Sequence, residues 1–460
     1  MDNQRTKPPQ KPPLPVDEDG KATVFNPFTA NSRQMITFHL SWLSLFSCFF
    51  STFSIPPLLP VIRSDLHLSP SDIATAGAAS FVGSVLSRLL MGPACDILGP
   101  RLASATLSLV TAPAILAVSL ASTPLFFSLL RLLVGLCLGN FVANQFWTST
   151  LFSGPVVGRA NATAAGWANT GSGLAQLTMP LIYSLIASLF RAESPSFCWR
   201  AALILPAVFQ ALTAILILKY TNDNHHHHHH HNATTKPAKK DTIKILLNGL
   251  KNYRGWIMAI LYGASFGVEL TIDNIIAEYF YDEYGLRLEV AGAVAACFGL
   301  GNCISRPMGG AVSDYMGKRY GVRGRLWSLW AGLTVAGLLC VGLGRVNTLY
   351  GSILVMCGFS VFVQASSGMV FGVVPFVSTR SLGVISGMTG SGGTLGAVVT
   401  QLVFFSDTTK MSTHTGLFAM GIAMLLCTCT VTLIYSPQCG GVFCAPSPST
   451  LDDQDYTLLD

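Results

Sequence analysis

Apolar residues along the chain collect in long runs, and polar residues collect in the shorter stretches between them. An α-helix needs about 20 predominantly apolar residues to cross a hydrocarbon core. The pattern predicts twelve such helices, over 36–60, 72–95, 101–121, 123–147, 162–186, 199–219, 254–278, 290–313, 326–344, 347–374, 384–404 and 414–435. A polar stretch at 220–253 divides them six and six. The expected organisation is a disordered cytoplasmic tail over 1–34, rich in Pro, Lys and Asp, followed by a six-helix bundle over 35–219. A cytoplasmic linker over 220–253, a second six-helix bundle over 254–436 and a cytoplasmic tail over 437–460 complete it. Residues 1–34 show no apolar core or cleavage site of a signal peptide.

Composition agrees with this pattern. Only 11% of the 460 residues are charged, against roughly 25% in a soluble domain. Half are hydrophobic and the mean hydropathy is +0.51. Such a chain cannot clothe a soluble surface, which excludes a soluble enzyme, a secreted disulfide scaffold and an ordinary nucleic-acid binder. An all-α polytopic membrane protein remains. The 12 cysteines are mostly single and scattered through apolar stretches without metal-ligand spacing, so they read as small core residues. No metal or cofactor site is expected.

The basic residues orient the chain. With the N-terminus inside, nineteen fall on inner segments and six on outer loops (Arg63, Arg191, Arg200, Arg287, Arg345 and Lys410), as the positive-inside rule requires. Arg88, Arg131 and Arg306 fall within the apolar segments. The run His225 to His231 fits a weak metal site, a purification tag or a neutral low-complexity tract, and the last is preferred.

An internal repeat supports two homologous halves. Ser87-Arg88, with Gly92, Asp96 and Gly99, recurs as Ser305-Arg306 with Gly310, Asp314 and Gly317. Thr170-Gly171-Ser172-Gly173 recurs as Thr389-Gly390-Ser391-Gly392, and Gln145 recurs as Gln364, all at nearly one offset. Parallel repeats of this kind build secondary transporters whose site lies at the repeat interface.

The copies Gly92-x-x-x-Asp96-x-x-Gly99-x-Arg101 and Gly310-x-x-x-Asp314-x-x-Gly317-Lys318-Arg319 sit at the inner ends of the second and eighth segments. They resemble the inner-loop motif of the major facilitator superfamily. Asp96 with Arg101 and Asp314 with Arg319 are accordingly expected to be gating pairs that break as the halves rock. Arg88 and Arg306 lie eight residues before those aspartates, about 12 Å deeper at 1.5 Å per residue. A buried charge costs at least about 2.5 kcal/mol in the hydrocarbon, so it normally faces a polar cavity. Two guanidiniums near the midplane, one per half, make an anion site, and their planar forks suit a small planar oxyanion. The alternative is structural arginines satisfied by backbone carbonyls.

Around them run Ala165-Gly166-Trp167-Ala168-Asn169-Thr170-Gly171-Ser172-Gly173 and Gly387-Met388-Thr389-Gly390-Ser391-Gly392-Gly393-Thr394. These stretches resemble the paired signatures of the nitrate/nitrite porter family of the major facilitator superfamily. Phe38-His39-Leu40-Ser41-Trp42 and Phe371-Gly372-Val373-Val374-Pro375-Phe376-Val377 are most similar to plant high-affinity nitrate transporters. Ala168 departs from the pattern, which often has glycine there. The resemblance implies a major facilitator fold and a nitrate site formed by Arg88, Arg306, Phe141, Asn169, Tyr262 and Phe266. It also implies signature glycines at Gly166, Gly171, Gly173, Gly390, Gly392 and Gly393. Taken singly, the aromatic residues read as core; their joint placement with the arginines gives them value.

Tyr262, Phe266, Glu269 and Asp273 fall at i, i+4, i+7 and i+11, one stripe on a regular helix. Glu269 and Asp273 are therefore candidates for proton relay. An ion pair with a neighbouring arginine such as Arg131 is the equal alternative. The expected function is nitrate transport by alternating access, coupled to protons, without enzymatic activity. A porter for nitrite or another small anion, and a nitrate receptor without sustained transport, are the rivals. Short tails without a recognisable signalling domain argue against the receptor. The resemblance further implies the vacuolar membrane, with the plasma membrane as alternative; most plant relatives need a small accessory membrane protein, and the sequence does not say whether this chain does. The acceptor-like Asn161 and Asn232 lie on the inner side and are discounted, as is the dileucine-like Asp455 to Leu459.

Overall fold

Helix starts are written locally. The Ser69 hydroxyl accepts a hydrogen bond from the Asp72 N–H at 3.2 Å, and the Asp72 carboxylate accepts one from the Ser69 N–H at 2.9 Å. Pro70 takes the first helical position, where its missing N–H costs nothing. Thr123 with Pro124, and Ser412, cap two further helices through their hydroxyls.

A computed structural model describes residues 14–18, 20–190, 194–221, 249–377, 382–406, 411–436 and 440–444. The polyhistidine run, most of the linker expected at 220–253 and most of the expected C-terminal tail lie outside the described residues. The spanning helices are α1 (Arg33–Leu66, broken by a 3₁₀ turn at Pro56–Leu58), α2 (Pro70–Gly92), α3 (Leu98–Val118) and α4 (Pro124–Leu151). Next come α5 (Arg159–Leu189), α6 (Pro195–Tyr220) and α7 (Tyr253–Tyr284). The run Leu288–Leu343 holds two helices, α8 (288–320) and α9 (322–343), and is followed by α10 (Leu349–Val373), α11 (Leu382–Phe404) and α12 (Thr413–Leu433).

By length and composition, ten helical runs among the described residues qualify as membrane spans. Leu288–Leu343 counts as one of them but turns back at Gly321, whose φ of 62° only glycine adopts without strain. The reversal is evident from Arg325 Nη1, which lies 2.8 Å from Asp314 Oδ1 although a straight helix would separate residues eleven apart by about 16 Å. Helix α11 falls outside the ten. The twelve predicted segments each coincide with one of these helices.

Close packing joins the halves along α5 against α8 and along α2 against α11. A Cβ at Gly173 would overlap the Leu300 nitrogen, and one at Gly299 would lie 2.5 Å from the Gly173 nitrogen, so these backbones touch. A short antiparallel hairpin, Tyr435–Ser436 with Gly440–Gly441, follows α12.

Candidate anion site at the midplane

Three helices depart from α geometry beside the predicted arginines. In α4 a 3₁₀ segment, Leu136–Gly139, delivers Asn140 and Phe141. In α7 a π-helical turn, Gly263–Gly267, separates Tyr262 from the regular helix that begins at Val268. Helix α10 ends in a 3₁₀ turn at Val374–Phe376, just beyond Phe371. Single π turns inside α-helices recur at functional sites because the extra residue re-aims the side chains that follow. Gly393 of α11 makes room for this one: a Cβ there would meet Tyr262 Cδ1 at 2.5 Å and Phe266 Cδ1 at 3.0 Å.

The aromatic residues form a box. Tyr262 stacks on Phe266 with ring centroids 5.0 Å apart and planes at 15°, and Phe371 meets Tyr262 edge-on at 5.0 Å. Phe141, from the other half, lies 6.4 Å from Phe371. Both arginines flank the same ring. The Arg88 guanidinium carbon lies 5.5 Å from the Phe266 centroid and 4.8 Å from that of Phe141, while that of Arg306 lies 5.0 Å from Phe266. Cation–π contact holds a guanidinium without consuming its in-plane donors.

Those donors are unequally engaged. Arg88 donates Nη1 to the Gly390 carbonyl of α11 at 2.9 Å, across the interface between halves. Its Nε and Nη2 are buried without a hydrogen-bond partner. Arg306 donates Nη2 to Glu269 Oε2 at 2.8 Å, and its Nε has no partner. Glu269 is fully buried and also accepts from Asn302 Nδ2 at 2.7 Å and from Ser367 Oγ at 3.3 Å. Leaving a buried charged donor unpaired costs at least about 1–3 kcal/mol, so the free edge of Arg88 requires an explanation.

The remaining predicted residues fall as follows. Asn169 is buried and donates to the Ala165 carbonyl of its own helix at 2.7 Å. Gly166 and Gly173 face α8, Gly171 faces Phe46 of α1, and Gly392 and Gly393 face α7. Gly390 has open space where a Cβ would stand and contributes its carbonyl to Arg88 instead. Asp273 is buried with Oδ1 unpartnered. The π turn shifts the predicted stripe out of α-helical phase; Glu269 nonetheless turns to Arg306. Arg131 bonds to Asn274 Oδ1 at 2.9 Å and to neither carboxylate. At the inner ends, Asp314 pairs with Arg325, not Arg319, because the turn at Gly321 brings α9 back over it; Arg319 is exposed beside Tyr320. Arg101 donates to the Leu218 carbonyl, and the side chain of Asp96 lies outside the described residues. Asn302, Ser367 and the Phe371 ring join the site without having been expected there. Asn302 sits four residues before Arg306, a same-face spacing that the sequence displays.

The model of the Major Facilitator Superfamily matches residues 41–401. High affinity nitrate transporter 2.7 of Arabidopsis thaliana is 55% identical over 97% of this chain and 93% of its own. The chain belongs to the high-affinity nitrate transporter family of the major facilitator superfamily. High affinity nitrate transporter 2.5 of the same plant is 50% identical over 99% and 90%, and Nitrate transporter 2.1 of Chlamydomonas reinhardtii is 40% identical over 98% and 83%. Among solved structures, a bacterial homolog of the human lysosomal transporter Spinster matches with a TM-score of 0.63 over 86% of this chain and 96% of that one. At 12% identity that likeness concerns the fold. Members of this family are multi-pass membrane transporters and not enzymes.

Proposed function

We propose that the chain transports nitrate by alternating access, coupled to protons, through the site of Arg88, Arg306 and Glu269. One observation carries the reading: the Nε and Nη2 edge of Arg88, buried and unpaired, is the side-on fork that receives two oxygens of a planar oxyanion. The names of the relatives support nitrate as that oxyanion. The aromatic box supplies apolar walls for a weakly hydrated ion.

Charge accounting supports the coupling. With Glu269 ionised, its pair with Arg306 leaves the formal charge of Arg88, which one nitrate neutralises. A proton on Glu269 dissolves the ion pair and frees Arg306 Nη2 to face the same anion. Proton and nitrate then bind synergistically, each strengthening the other. Arginine stays charged throughout, so the carboxylate is the group that carries the proton. Asp273, one turn outward, passes protons between Glu269 and the outer vestibule. Asp96 and Asp314 act as inner-gate residues, the latter through Arg325. Resemblance to the vacuolar-membrane members favours that membrane, which a fluorescent fusion tests.

Isotopic nitrate flux into proteoliposomes of the purified chain, with nitrite as competitor, is the direct test. Nitrate accumulation driven by an imposed pH gradient is expected. Binding without flux would indicate a receptor, or a required partner if its addition restored flux. Preference for nitrite would change the substrate.

A further inference from the structure

The third buried arginine lies outside the midplane site. Arg131 of α4 is 2% exposed and donates Nη1 to the Thr52 carbonyl of α1 at 2.9 Å and Nη2 to Asn274 Oδ1 of α7 at 2.9 Å. Both acceptors are neutral. Among the described residues no carboxylate stands within ion-pair distance of Arg131. A buried, uncompensated guanidinium is costly and calls for a counter-charge at some stage of the cycle.

Its position says when. Asn274 lies eight residues beyond Phe266 and four before Glu278, about 12 Å outward of the midplane ring and about 6 Å inward of Glu278. There it also bonds Gln401 of α11 through Nδ2 at 3.2 Å, and Gly77 of α2 leaves the space for it. This cluster of α2, α4, α7 and α11 roofs the midplane site. Further out, Arg63 of α1 bridges Glu278 and Asp282 of α7 at 2.8 Å each.

Arg131 and Thr52 belong to one half, and Asn274 belongs to the other. Opening the outer side must therefore break the bond to Asn274 and spare the one to Thr52. The same movement parts Arg63 from its acids. The opened vestibule then has a basic wall, Arg63 and Arg131, facing an acidic wall, Glu278, Asp282 and Asp273.

We propose that Arg131 is a transient second binding site for a small monovalent oxyanion, a way-station between the outer mouth and the midplane arginines. The inference rests on the proposed midplane reading and adds a site to it. When the outer side opens, the Nη2 that Asn274 held is offered to the incoming anion. Closure returns Asn274 to Arg131 and displaces the anion inward.

The test is nitrate uptake presented at the outer face of oriented vesicles, beside equilibrium nitrate binding to the solubilised chain. Arg131→Gln is expected to raise the outer KM about tenfold, the scale of electrostatic capture, with kcat and equilibrium binding little altered. Arg131→Lys should restore the KM. Asn274→Asp, which hands Arg131 a permanent counter-charge, should raise KM likewise and carries the test if Arg131→Gln fails to fold. A fall in kcat at unaltered KM in these variants would reduce Arg131 to a lock between halves and overturn the inference. An unaltered KM with unaltered kcat would overturn it too. Absence of nitrate binding in the unsubstituted chain is the separate failure, that of the midplane site itself.

Discussion

The unpaired edge of Arg88 and the paired edge of Arg306 make two similar residues unequal. Lysine at position 88 keeps the charge but removes Nε and Nη2, so Arg88→Lys should cost roughly 3 kcal/mol, about a hundredfold in nitrate affinity, for two charged hydrogen bonds. Calorimetry of nitrate binding measures it, and a tenfold smaller effect would show that the fork is not engaged. Arg306→Lys can still meet Glu269, so it should fold normally while losing most transport. Glu269→Gln preserves the shape that Asn302 and Ser367 hold but cannot ionise. It should retain nitrate exchange at equal concentrations and lose accumulation under a pH gradient. If the Glu269→Gln variant still concentrated nitrate, the coupling role would pass to Asp273. The arginines and the carboxylate could be read from the sequence as isolated charges in apolar segments. Their pairing could not, because Glu269 and Arg306 meet through the packing of two helices.

At the scale of elements, two departures from regular helix decide the site and the inner gate. The π turn at Gly263–Gly267 sits against α11 where Gly393 leaves no room for a side chain. A methyl at Gly393 must push the Tyr262 and Phe266 rings, and such overpacking costs about 1–3 kcal/mol. Gly393→Ala should therefore weaken nitrate binding more than it lowers Tm, both read on the same purified sample. The turn at Gly321 replaces the expected partner of Asp314 with Arg325. Asp314→Ala and Arg325→Ala should accordingly slow turnover alike, with nitrate affinity altered less, whereas Arg319→Ala should leave flux near normal. A deficit confined to Arg319→Ala would restore the sequence-based pairing. Helix starts and the spans themselves were legible because caps and apolar runs are local; the π turn needs a neighbouring helix to press against it.

For the whole molecule, the side-chain bridges that join the halves among the described residues gather from the midplane outward. They include Arg88 to Gly390, Arg131 to Asn274, Gln176 to the Asp273 carbonyl, and Arg63 to Glu278 and Asp282. That arrangement is closed on its outer side. Arg63 is partly exposed, so its pairs contribute only about 1 kcal/mol, enough to move a two-state population about fivefold. Arg63→Ala should increase the outward-open fraction, measured as inter-probe distances across the outer ends of α1 and α7 by electron resonance; an unshifted distribution would remove the latch. By itself the sequence determined what depends on local composition: the number of spans, the two-fold repeat and the residues whose charge has no place in lipid. The tertiary structure decided which of those charges meet, which donors stay free and which face closes, because each of those is a relation between helices far apart in the chain, set by how closely their backbones approach.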